Sequence, residues 1–161
     1  MRPLVQSLRA LIVGAAVLGV LAYAAAALVT VADVVGRQMA APIPGVVDLV
    51  QLFVLGGAWL VIPYAFLTGA HVGVDLLVES FPDAVGRGLR AVASVAAAGL
   101  LALMLVHCYE AFQQQLMFGD RSQQLGIPII WYWVPLLAGM ALSIIAALLT
   151  IFTAPRTQAT S

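Results

Sequence analysis

The sequence predicts an all-α integral membrane protein with four transmembrane helices, both termini on the cytoplasmic side (N-in/C-in), and short interfacial helical segments. Three observations predict it. Residues 10–32, 49–74, 91–109 and 122–155 contain no charged side chain, and every Arg, Asp and Glu lies between or beside those runs. A helix rises 1.5 Å per residue, so about 20 apolar residues cross a hydrocarbon core of roughly 30 Å. The hydrophobic fraction of 63% against 9% charged residues excludes an ordinary soluble domain, of which about a quarter is charged. A single membrane domain, 1–161, therefore carries spans at approximately 10–32, 49–71, 88–112 and 128–153.

Charge placement supplies the orientation. Arg2, Arg9, Arg87, Arg90 and Arg156 fall on the side of the N-terminus, and only Arg37 and Arg121 on the other. The positive-inside rule puts the richer side in the cytoplasm. A net charge of zero argues against nucleic acid as a partner.

The first run is too long for a secretory signal, whose apolar core is about 7–15 residues, so we read it as a retained helix. It ends where Asp33 and Arg37 stand four apart, acid first, the favourable order for a helical pair. Pro42, Pro44 and Gly45 then break the chain, and Asp48 sits where a carboxylate complements the dipole of span two. Asp33, Arg37 and Asp48 should gather at one rim, either as a solvated rim with caps or as a grip on a partner.

Span two holds Trp59 near mid-membrane and Pro63 four residues on. Proline frees a carbonyl that a protein neighbour usually re-satisfies, so this helix should face protein. Ser80 and Asp83 have the spacing of a capping box, and an interfacial helix from Pro82 should lead into span three. There Ala93, Ala97, Ala98 and Ala102 invite a close neighbour. Beyond Glu110, Gln113, Gln114 and Gln115 the helix should project from the membrane and turn at Gly119-Asp120. Span four should start at Pro128, with Trp131, Tyr132 and Trp133 at interface depth. Gly139, Ser143 and Ala147 form a second close-packing stripe. Short connections predict antiparallel neighbours in sequence order, as in an up-down bundle.

No charge falls within the four apolar runs, and intramembrane charges are what mark ion paths. His71 and His107 could in principle ligate haem. The orientation puts them at opposite ends of their spans, roughly 25–30 Å apart, too far to share one iron. Cys108 is a small apolar filler without a disulfide partner. We find no catalytic, cofactor or metal site.

Three segments, DVVGRQMAAPIPGVVDLVQL (33–52), GAHVGVDLLVESFP (69–82) and LGIPIIWYWVPLLAG (125–139), together resemble the small permease subunit (DctQ-like) of tripartite ATP-independent periplasmic (TRAP) transporters. Asp48 stands where that family more often has Glu, and Thr68 where a basic residue is common. The resemblance implies a bacterial inner-membrane scaffold without enzymatic activity. It would brace a large permease subunit, where sodium coupling would reside, and help dock a periplasmic substrate-binding protein for uptake of an organic acid. It also implies that Arg37, Asp48, His71 and Asp75 are motif residues at helix ends, and that Trp59, Pro128 and Trp131 belong to a helix-packing surface. The alternative class is an independent small homo-oligomeric carrier or channel, its pore lined by Gly139, Ser143 and Ala147.

Overall fold

The structure, a computed structural model, describes residues 2–68 and 83–152. They form four helices: α1 (Arg2–Gln38), α2 (Val46–Leu67), α3 (Asp83–Phe118) and α4 (Ile130–Phe152). Each is long and apolar enough to cross a membrane. The helices overrun the charge-free runs because charged and polar residues continue a helix well once it leaves the hydrocarbon. At 37 residues, α1 is about 55 Å long. The interfacial lead-in and span three are one unbroken helix from Asp83. His71, Asp75, Ser80 and Pro82 lie outside the described residues.

The helices stand in a row rather than around a common core. α1 packs on α2, α2 on α4, and α4 on α3. Sequence neighbours α1/α2 and α3/α4 form two hairpins of matching element lengths, whereas α2 and α4, which are not consecutive, lie side by side and parallel. The short-loop argument therefore holds within each hairpin and fails between them.

The edge helices show why a row forms. On α1, Ile12, Gly19, Ala26 and Asp33 are buried at seven-residue spacing, with Leu8, Ala15, Ala22 and Val29 half-buried beside them. On α3 the same spacing runs through Ser94, Leu101, Cys108 and Gln115, flanked by Ala98, Leu105 and Phe112. A strict seven-residue repeat makes one narrow seam, enough for a single neighbour. Of the alanines expected to form the α3 seam, Ala98 is buried, Ala93 and Ala97 are half-buried, and Ala102 is exposed. The seam thus turns partly away from them.

α2 serves two neighbours through adjacent glycines. A Cβ on Gly57 would stand 2.9 Å from the Gly19 carbonyl oxygen of α1, and one on Gly56 would stand 3.4 Å from Pro135 of α4. On α4, Gly139, Ser143 and Ala147 are all buried, and Gly139 abuts the Trp59 backbone of α2. The Ser143 hydroxyl donates to the Gly139 carbonyl at 2.7 Å. This stripe is used inside the chain, so it cannot line a pore between copies.

Candidate functional site

The C-terminal ends of α1 and α3 and the N-terminal ends of α2 and α4 meet at one rim, bridged by two loops. Each loop is tied down by one buried aspartate. Asp33, on the last turns of α1, accepts from Arg37 Nε at 2.7 Å and from the Ile43 backbone N–H at 3.0 Å. Its carboxylate thus holds the chain after Pro42 against the helix it has just left. Ala41 N–H closes the turn on the Gly36 carbonyl at 2.8 Å, and Gly45 takes φ 73° before α2 begins. A Cβ on Gly45 would collide with Leu125, so glycine here meets both a left-handed backbone and contact with the second loop.

Asp48 performs the second tie across the molecule. Its Oδ2 accepts the backbone N–H groups of Gln124 at 2.9 Å and Leu125 at 2.7 Å. Its carboxylate also accepts the Ser122 hydroxyl, whose oxygen takes the Ile127 N–H at 2.9 Å. Tyr132 completes the joint by donating to the Asp48 backbone carbonyl at 3.0 Å. The loop adds its own closure: Ser122 N–H to the Ile127 carbonyl, Ile129 N–H to the Asp120 carbonyl, and a single β-bridge between Arg121 and Pro128. This pairing explains why α4 starts at Ile130, two residues after the proline that the sequence suggests as its start. Pro128 is the last residue of the bridged loop, and its carbonyl receives the Trp131 N–H.

The rim gathers three of the sequence-selected residues and separates their duties. Asp33 and Asp48 are each 5% exposed and spent on backbone N–H groups. Arg37 keeps 61% of its side chain exposed. It reaches Asp33 through Nε, leaving the rest of its guanidinium outward. The aromatic run also divides. Trp131 is 62% exposed and Tyr132 is buried. Trp133 donates its indole N–H to Gln115 Oε1 at 2.7 Å and packs 6.0 Å from the Phe112 ring. Only Trp131 faces wholly outward, so the other two fasten α4 to α2 and α3 instead of lining the interface. Trp59 lies a dozen residues away along α2, half-buried, and belongs to the α2–α4 seam.

Sequence reasoning missed the reach of Asp48 to residues 124 and 125, more than seventy positions along the chain. No local spacing encodes such a contact. It also missed Ser122 and Tyr132. One cue was available: a tyrosine between two tryptophans at a helix start has a hydroxyl that needs an acceptor if buried.

The site holds backbone fixed by two buried aspartates and presents the guanidinium groups of Arg37 and Arg121 outward; among the described residues it brings no reactive pair together. A family model described as tripartite ATP-independent periplasmic transporters, DctQ component, matches residues 26–157. No curated protein and no solved structure matches the chain.

Proposed function

Since the chain belongs to the DctQ component family of tripartite ATP-independent periplasmic transporters, a small transporter subunit, we propose that it braces a large permease subunit and helps dock a periplasmic substrate-binding protein. Sodium coupling and the transported organic acid belong to those partners. The rim carrying Asp33, Arg37 and Asp48 faces the periplasm, and both termini lie in the cytoplasm of a cell with an inner membrane.

The observation that carries this reading is the row of helices. A four-helix row with seams of small residues leaves its broad faces open, and the described helices do not close around a passage for a solute. Its edge helices expose Leu18, Leu21, Leu28 and Val31 on α1 and Leu100, Leu103 and Val106 on α3. That is a wide apolar surface for lipid and a membrane-embedded partner. Two tied loops at the rim give a rigid surface where a soluble partner can land without first ordering a flexible segment, which would cost affinity.

Reconstitution tests it. Proteoliposomes are prepared with the chain alone, with the cognate large permease, and with permease plus binding protein. Uptake of an organic acid under a sodium gradient is expected only in the last. Sodium-driven uptake by the chain alone would overturn the scaffold reading in favour of an independent carrier.

A further inference from the structure

A cleft of about 450 Å³ opens beside the Asp48 joint, between α2, α4 and the loop after α3. Its walls change character with depth. Arg121, Gln123 and Gln124 of the loop and Gln51 of α2 line the mouth, while Leu55 and Leu136 line the far end. Val47, Gln51 and Leu55 recur every four residues on one face of α2 and give the wall a length of about 12 Å.

Arg121 is the cation at the mouth. It donates one hydrogen bond, Nη1 to the Gly126 carbonyl at 3.3 Å, and among the described residues it has no carboxylate partner. The nearby Asp48 carboxylate is already bonded to two amides and a hydroxyl. Most of the guanidinium fork is therefore available to an anionic oxygen, and guanidinium suits phosphate geometry.

We propose that this cleft binds one phospholipid, its phosphate on Arg121 and an acyl chain running between Leu55 and Leu136. The mouth lies at the start of two membrane-spanning helices, at the depth where headgroups sit. A free anion would leave the leucine end of the cleft unfilled, and a bare acyl chain would leave the arginine unpaired. A molecule with both parts satisfies both ends. The site needs only that the helices lie in a membrane, so it stands apart from the subunit reading.

Native mass spectrometry of the full chain in mild detergent tests this with three probes: dioleoylphosphatidylglycerol, dioleoylglycerol and inorganic phosphate. One phosphatidylglycerol per chain is expected, with the other two probes binding at least roughly tenfold more weakly. Arg121→Gln keeps a donor for the Gly126 carbonyl but removes the charge, and Leu55→Trp fills the apolar end. Each should weaken phosphatidylglycerol by roughly tenfold or more, while Arg121→Lys should retain most of the binding. Phosphate alone binding as well as the lipid would make this a simple anion site and overturn the proposal. Equal binding of dioleoylglycerol, or undiminished lipid on a folded Arg121→Gln chain, would overturn it too. Should Arg121→Gln fail to fold, the Leu55→Trp variant and the two partial probes still decide.

Discussion

Gly139 of α4 stands directly against the carbonyl oxygen of Trp59 on α2, the acceptor left without its helical donor by Pro63. Proline lacks an N–H, so the residue four positions earlier loses its backbone bond. In hydrocarbon no water can replace it. The glycine lets a neighbouring backbone come close enough for a Cα–H to face that oxygen, a weak hydrogen bond. Pro63 itself is fully buried, consistent with a break in the ladder that only protein can cover.

Gly139→Ala should therefore be costly. Its methyl would overlap the Trp59 carbonyl and carbon, neither of which is the movable end of a side chain. Forcing such a contact costs about 1–3 kcal/mol. Thermal unfolding in detergent measures it against Gly99→Ala, where a Cβ meets nothing within 4 Å. Equal melting temperatures for the two variants would show that α4 shifts freely and that the contact is incidental.

The α1–α2 seam makes a parallel prediction. A Cβ on Gly19 would lie 2.7 Å from the Gly57 carbonyl oxygen and 2.7 Å from Val61 Cγ2, whereas Gly14 faces open space. Gly19→Ala should destabilise by about 1–3 kcal/mol. Gly14→Ala should be neutral or gain up to about 1 kcal/mol from helix propensity. A cysteine cross-linking survey of α1 against α2 in each variant would report whether the hairpin has opened.

Tyr132 and Trp131 are adjacent yet should behave differently. Tyr132→Phe removes the hydroxyl that bonds the Asp48 carbonyl and should cost about 0.5–1.5 kcal/mol, read as a lowered melting temperature of the isolated chain. Trp131→Ala leaves no bond broken inside the chain, because its side chain is mostly exposed. Its effect should appear in partner or lipid association with melting unchanged.

These contrasts show what was legible in the sequence. The four helices were, because composition and the length of the charge-free runs act locally. So were the Asp33–Arg37 pair, from its four-residue spacing, and the close-packing stripe through Gly139, whose partner was not. The lateral order α1–α2–α4–α3 was hidden because it depends on which faces match, and Gly56 and Gly57 face opposite neighbours although adjacent. The seven-residue seam of α1 could have been read: Ile12, Gly19, Ala26 and Asp33 share one column. Its alanine-rich surroundings mask it, since small residues also occupy the flanking faces. Asp48 stands in the first turn of α2, where a helix-dipole partner belongs, but the second use of its carboxylate, on a loop far along the chain, was hidden.

Asp48→Ala follows from that use. Removing the carboxylate leaves the amides of Gln124 and Leu125 without their acceptor, and Ser122 without its own. The 119–129 loop should then open locally while the helices stay packed through their seams. Limited proteolysis within this loop should accelerate by roughly tenfold or more, with helix content by circular dichroism unchanged. Asp48→Glu preserves an acceptor of the same charge and should protect the loop better than alanine. An unchanged cleavage rate in Asp48→Ala would mean that the β-bridge and the Ser122–Ile127 bonds suffice to hold it.

Arg37 separates fold from docking most cleanly. Its pair with Asp33 is close, at 2.7 Å, but the arginine side chain is 61% exposed, and exposed pairs add little to stability. Asp33 would keep the Ile43 amide after Arg37→Ala, so the first loop should stay in place and the melting temperature should hardly move. Asp33→Ala removes the acceptor for both partners and should loosen the loop, seen as faster proteolysis between residues 38 and 46. If the outward guanidinium serves docking, Arg37→Ala should lower the yield of the assembled complex or uptake by it, and the gap to wild type should narrow at high salt, where the attraction of an exposed charge is screened anyway. Arg37→Lys should recover part of the loss, as it retains charge without the planar fork. Full assembly and full uptake in Arg37→Ala would reduce Arg37 to a solvated companion of Asp33 and leave docking to the backbone of the two tied loops.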